Sequence, residues 1–137
     1  MSMNMNTNEL RIGNWIKLSE DGAICQVSGV RELAVMIRIA RTSRGKMSEW
    51  VGIEHFSPIL LTEEILLKCG AKKYAPNKML SDRFDYDRFR LSYFPNYNYW
   101  RVTDKESNCY ITKIEFLHEF QNTMFVLNGE EVEIKLE

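Results

Sequence analysis

Histidine and cysteine are sparse in this chain of 137 residues, and none of them falls into a metal or redox spacing. The three cysteines, Cys25, Cys69 and Cys109, include no C-x-x-C pair, which removes support for zinc-ribbon and thioredoxin-like chemistry. The two histidines, His55 and His118, are far apart; the position four after His118 is Asn122, so the helical zinc-peptidase pattern fails. The seven glycines are scattered singly, with no G-x-G-x-x-G and no P-loop, so nucleotide sites of those types have no support. Apolar runs stop well short of the roughly 18 residues of a membrane span, and no basic start leads into an apolar signal core. Neither charge dominates: 18 basic against 19 acidic side chains leave a net charge of -1, which excludes a globally basic nucleic-acid binder.

What is present is an ordinary soluble-domain composition, 45% hydrophobic, on a chain long enough to fold without disulfide or metal staples. An odd cysteine count without a secretory start fits a reducing cytoplasm, with the thiols acting as small buried hydrophobes. Residues 1–8 lack periodicity and read as a disordered arm. Residues 10–18 read as a strand bent at Gly13, Asp21-Gly22 as a hairpin turn, and residues 23–28 as the return strand. Leu33, Val35, Ile37 and Ile39 alternate on a third strand, and residues 50–56 make a fourth. This half is predicted to be a small antiparallel sheet or SH3-like barrel.

Beyond Pro58, Thr62 caps a short helix, Glu63 and Glu64 suit its positive end, and Gly70 terminates it. Residues 71–81 read as a loop. Phe89, Leu91 and Tyr93 alternate with Arg88, Arg90 and Ser92, opening a three-stranded meander that ends near residue 111. Thr112 and Glu115 have the spacing of a capping box for a second helix that closes at Gly129, its apolar face predicted to pack on the meander. Residues 131–137 alternate as a final strand. The fold class is therefore α+β, with residues 9–137 as one domain and sub-lobes at 9–57 and 58–137.

Three segments carry a resemblance. Glu9-Leu10-Arg11-Ile12-Gly13-Asn14-Trp15, residues 58–70, and Ile114 to Asn122 with Leu127 to Glu131 resemble small uncharacterised proteins of Bacteroides-type gut bacteria and their phages or mobile elements. In that group the last block usually has leucine where Phe120 stands here and threonine where Asn128 stands. The resemblance implies a bacterial or phage cytoplasmic setting and one full-length unit, and it implies nothing about catalysis.

His118, Gln121 and Asn122 fall on one side of the second helix as a polar patch, which reads first as a structural contact and second as a ligand site. A cysteine–histidine nucleophile has no local signature. Asp82, Asp85 and Asp87 miss the glycine and the final glutamate of a calcium loop and read as a solvated cluster pairing with Arg83 or Arg88. Between Lys68 and Lys105, nine basic residues face four acidic ones and are interleaved with aromatics. Such sheets bind single strands by stacking bases and neutralising phosphates. The acidic stretch from Ile114 onward argues against it.

The first reading is a non-enzymatic binding or structural protein acting through protein contacts, with a protein partner or a second copy of itself, no cofactor and no membrane. The alternative is a nucleic-acid-binding module using Arg88, Arg90, Tyr97, Tyr99 and Trp100 together with Arg38, Arg41, Arg44 and Lys46.

Overall fold

The computed structural model describes residues 5–20, 22–31, 33–39, 47–74 and 83–134, with the backbone alone for 36–39 and 47–49. Its strands are β1 (Trp15–Leu18), β2 (Ile24–Val30), β3 (Ala34–Ile39), β4 (Met47–Gly52), β5 (Phe56–Ser57), β6 (Lys72–Tyr74), β7 (Arg83–Tyr86), β8 (Phe89–Phe94), β9 (Tyr99–Asp104) and β10 (Tyr110–Ile114). Among the described residues two α-helices accompany them, α1 (Glu63–Lys68) and α2 (Leu117–Asn128). The architecture is α+β, with two five-stranded antiparallel sheets. The chain divides into two units: the first is Met1–Leu60 with Phe116–Glu130, the second Leu61–Glu115 with Glu131–Glu137. The second unit thus interrupts the first, which differs from the sub-lobes at 9–57 and 58–137 that the sequence suggests.

In the first unit the sheet order is β4-β3-β2-β1-β5. The hairpin at Gly22 forms as its sequence predicts, with φ +73 at the glycine and the Leu18 N–H donating to Ala23 O at 2.9 Å. Alternation places Cys25 and Val27 of β2 inside with Ile16, Val35 and Phe56. A 3-10 turn at Ile53–His55 follows β4, and β5 then pairs with β1 (Leu18↔Phe56). β4 and β5 are the two edges, and among the described residues no ladder joins them, so the sheet is not a closed barrel. Residues 1–4 lie outside the described residues, and residues 5–8 are not a disordered arm: Met5 and Thr7 are buried, and Asn6 caps a 3-10 turn at Thr7–Glu9. Met5 is drawn in because it completes the apolar cluster with Leu10.

The second unit's sheet runs β10-β9-β8-β7-β6, a five-stranded meander where the sequence suggests three strands. β6 lies in the stretch read as a loop, pairing with β7 (Lys73↔Phe84). Phe84, Phe89, Leu91, Trp100, Val102 and Ile114 are buried on one face. α1 matches its sequence signals: the Ile65 N–H donates to Thr62 Oγ1 at 3.2 Å, and Gly70 has φ +95. The Trp100 indole N–H donates to Leu61 O at 2.8 Å.

Three expectations for the C-terminal part are corrected. Thr112 is not an N-cap; it lies in β10, where its run of β-branched neighbours pairs with β9 (Thr112↔Val102). α2 starts five residues later, at Leu117, where the Phe116 N–H donates to Glu119 Oε1 at 3.0 Å. α2 does not belong with the meander but with the first unit, because its polar residues engage residues 9–15 there. Residues 131–134 form no strand, and residues 135–137 lie outside the described residues. Val132 is buried, which ties that segment by packing and not by a ladder.

Candidate functional site

Two side-chain groups stand out, one in each unit. The first is the predicted polar patch, and it faces inward. Gln121, 1% exposed, accepts the Trp15 N–H on Oε1 at 2.9 Å and donates through Nε2 to Gly13 O at 3.0 Å. Asn122 accepts from Asn14 Nδ2 at 2.8 Å and Arg11 Nε at 3.2 Å, and donates to Glu9 O at 2.8 Å. His118 Nε2 lies 3.2 Å from Glu9 Oε1, an arrangement in which Nε2 carries the proton. The helix supplies these backbone groups of residues 9–15 with the partners that a neighbouring strand would. Gly13, at φ +100, turns its carbonyl toward both Gln121 and the Gln26 amide, a conformation that other L-residues rarely adopt.

This group is a clamp, with the amides of Gln121 and Asn122 engaged in holding residues 9–15. The His118 ring is fully buried and stacks on Phe116 at 5.9 Å; among the described residues its Nδ1 has no hydrogen-bond partner.

The second group is the outer face of the second unit's sheet, opposite its buried aromatic and aliphatic layer. Cross-strand register sets it out in rows: Tyr74, Arg83, Ser92, Arg101 and Lys113 form one, and Lys72, Asp85, Arg90, Thr103 and Tyr110 the next. Phe94 and Tyr99 pair at one end, where Tyr97 stacks on Tyr99 with centroids 5.9 Å apart. In these two rows five cations stand against one carboxylate, Asp85. That carboxylate holds Arg90, at 2.8 Å from Nε, and the bond keeps the guanidinium pKa above its ordinary value. Arg90 also lies over the Tyr74 ring at 3.6 Å, and Arg101 over Tyr110 at 4.8 Å. Among the described residues Arg101 and Lys113 form no ion pair, and both are exposed.

The remaining expected residues are dispersed. Trp100 is not on the outer face: it is 4% exposed, because its register with Ile114 and Tyr93 puts the indole on the buried side. Arg88 is in the β7–β8 turn, over the Phe89 ring at 5.1 Å. Arg83, Arg101, Lys113 and Tyr110 of the outer face carry no distinguishing mark in the sequence, since only the register shows which parity points outward. For Arg38 the backbone alone is described, and Arg41, Arg44, Lys46 and Asp82 lie outside the described residues. Asp85 pairs with Arg90, its cross-strand partner. Cys25 and Cys69 are buried as expected, whereas Cys109, expected to be buried, is exposed in the segment that follows the β9–β10 turn. His55 is exposed in the 3-10 turn, 3.6 Å from Glu54.

Among the described residues no group of His, Cys, Asp and Glu could hold a metal ion, and no helix is long and apolar enough to cross a membrane. No protein-family model, curated protein or solved structure matches the chain.

Proposed function

We propose that the protein is a non-enzymatic binding module whose second unit takes nucleic acid on the outer face of its sheet. The observation that carries this reading is the row arrangement of exposed cations beside exposed aromatic rings on that face, with Arg101 and Lys113 adjacent in register. Phosphates are neutralised by such cations, and bases stack on such rings. The sheet order of the first unit, with a 3-10 turn between β4 and β5, supports an SH3-like reading of that unit. The family resemblance supports a bacterial or phage setting in the cytoplasm.

Protein contacts, the first reading of the sequence, keep one observation in the first unit: Ile12, Phe125 and Val126 are exposed, with Arg11 laid over the Phe125 ring at 4.2 Å. A dimer that persists at high salt in light scattering supports that reading.

Nucleic-acid binding is tested by gel shift with mixed single- and double-stranded oligonucleotides across a salt series. The expected result is binding that weakens steeply with salt, and weakens about tenfold or more when Arg101→Glu and Lys113→Glu are combined. No shift at low salt, or a shift unchanged in the double variant, overturns the reading.

A further inference from the structure

Resting on the nucleic-acid reading and narrowing it, we infer that the ligand is a single strand lying across the β-strands, its bases on the Phe94–Tyr97–Tyr99 cluster and its phosphates along Arg83, Arg101 and Lys113. The row Arg83, Ser92, Arg101, Lys113 runs perpendicular to the strands, one residue on each of β7 to β10. Strands lie about 4.8 Å apart, so the row spans roughly 14 Å. Phe94 and Tyr99 are the next outward-facing pair along β8 and β9, about 7 Å from Ser92 and Arg101 at two residues' rise. A backbone following the cations therefore has rings alongside it on one flank.

On the other flank the cation is paired with a carboxylate, whereas among the described residues Arg101 and Lys113 lie over rings alone, Tyr110 at 4.8 Å and Tyr99 at 5.3 Å. Arg90 is held by Asp85 through two contacts, at 2.8 and 3.4 Å, and its guanidinium covers Tyr74. A phosphate there meets the Asp85 carboxylate, whereas the row of Arg101 and Lys113 contains no acid. This asymmetry puts the backbone on the Arg101 row and the bases toward the Tyr97 turn.

The rings select for unpaired bases. Tyr97 is 70% exposed in the β8–β9 turn and stacks at 24° on Tyr99, which in turn meets Phe94 at 5.5 Å. The stack is backed by Tyr99 and open on the solvent side, so a splayed base can extend it. A duplex has its base faces covered by neighbouring pairs and gains nothing from such a platform. Surface aromatics on a sheet face stack about two or three bases. The contacts offered are ring faces and cations, which makes the binding tolerant of base sequence.

Fluorescence anisotropy with labelled oligothymidylate and oligouridylate of about two to twelve nucleotides, the full chain and a duplex competitor tests this. Affinity is expected to rise steeply to about four nucleotides and only slowly beyond, with the single strand at least about tenfold tighter than a duplex of equal length. Tyr97→Ala combined with Tyr99→Ala is expected to weaken binding about tenfold or more and leave the salt slope unchanged, while Arg101→Glu flattens the slope by about 0.7. Tyr97→Ala alone, at an exposed turn position, keeps the comparison meaningful should the double variant fold poorly. If the duplex binds as well as the single strand, or the tyrosine variants bind as the parent does, the inference falls and the nucleic-acid reading stands. If neither form binds at low salt, both fall.

Discussion

Replacing Gln121 by methionine removes the clamp's central amide while conserving most of its volume, so cavity formation contributes little. The loss is then a matter of hydrogen-bond partners. Gly13 O keeps the Gln26 amide at 3.2 Å, so it is not orphaned. The Trp15 N–H, which donates to Gln121 Oε1 at 2.9 Å, loses its acceptor beneath a helix. An orphaned buried donor costs about 1–3 kcal/mol, so we expect Gln121→Met to destabilise the first unit by about 2 kcal/mol. At about 4 °C per kcal/mol for a chain of this size, that corresponds to a drop in Tm of roughly 8 °C. Urea or thermal unfolding measures the loss, and amide hydrogen exchange locates it, with protection at Trp15 falling more than protection in β8 and β9. A variant within about 0.5 kcal/mol of the parent, with the Trp15 amide still protected, refutes the clamp as an energetic element, since that is the range of an inert surface change.

Gly13→Ala forces a Cβ onto a backbone at φ +100 and is expected to cost about 1–2 kcal/mol, measured by the same unfolding assay. Burial pushes the Cys69 thiol from 9.0 up to about 12, so in the folded protein it stays protonated where the unfolded chain ionises. The stability associated with that neutral thiol is full below about pH 9 and declines as pH rises toward 12, and Cys69→Ala is expected to be less pH-sensitive than the parent in that window alone. Alkylation followed by mass spectrometry at about pH 8 is expected to modify exposed Cys109 well before buried Cys69.

Much of the first unit's sheet and all of α1 were legible because their signals are local. Thr62 and Gly70 each act within one turn, and the alternation of Cys25 with Val27 needs no knowledge of partners. The start of α2 was illegible for a physical reason: Thr112 and Glu115 have capping-box spacing, but β-pairing of residues 110–114 with β9 takes precedence, and the true start at Leu117 follows Phe116, not a serine, threonine or aspartate. β6 and β7 escaped because their connection to neighbouring strands is set by tertiary pairing, and the β7–β8 turn has no glycine, Asp87 itself adopting φ +54. The aromatic-basic composition was visible, while the division of Tyr99 from Trp100 between two faces depends on which of them meets the buried layer. Contacts such as that of Gln121 with Trp15, 106 residues apart, leave no trace in local spacing.

The antiparallel bridge between Leu60 and Phe116, with the Leu117 N–H donating to Ile59 O at 2.8 Å, brings the departing and returning ends of the chain side by side. During synthesis, therefore, the first sheet leaves the ribosome before the helix that secures its opening segment. Asn14 and the Trp15 amide stay hydrated until residues 117–122 emerge, by which time β6 to β10 have already been made. Of the two units, the one begun earlier is finished later, and a stalled or truncated chain leaves that opening segment unfastened.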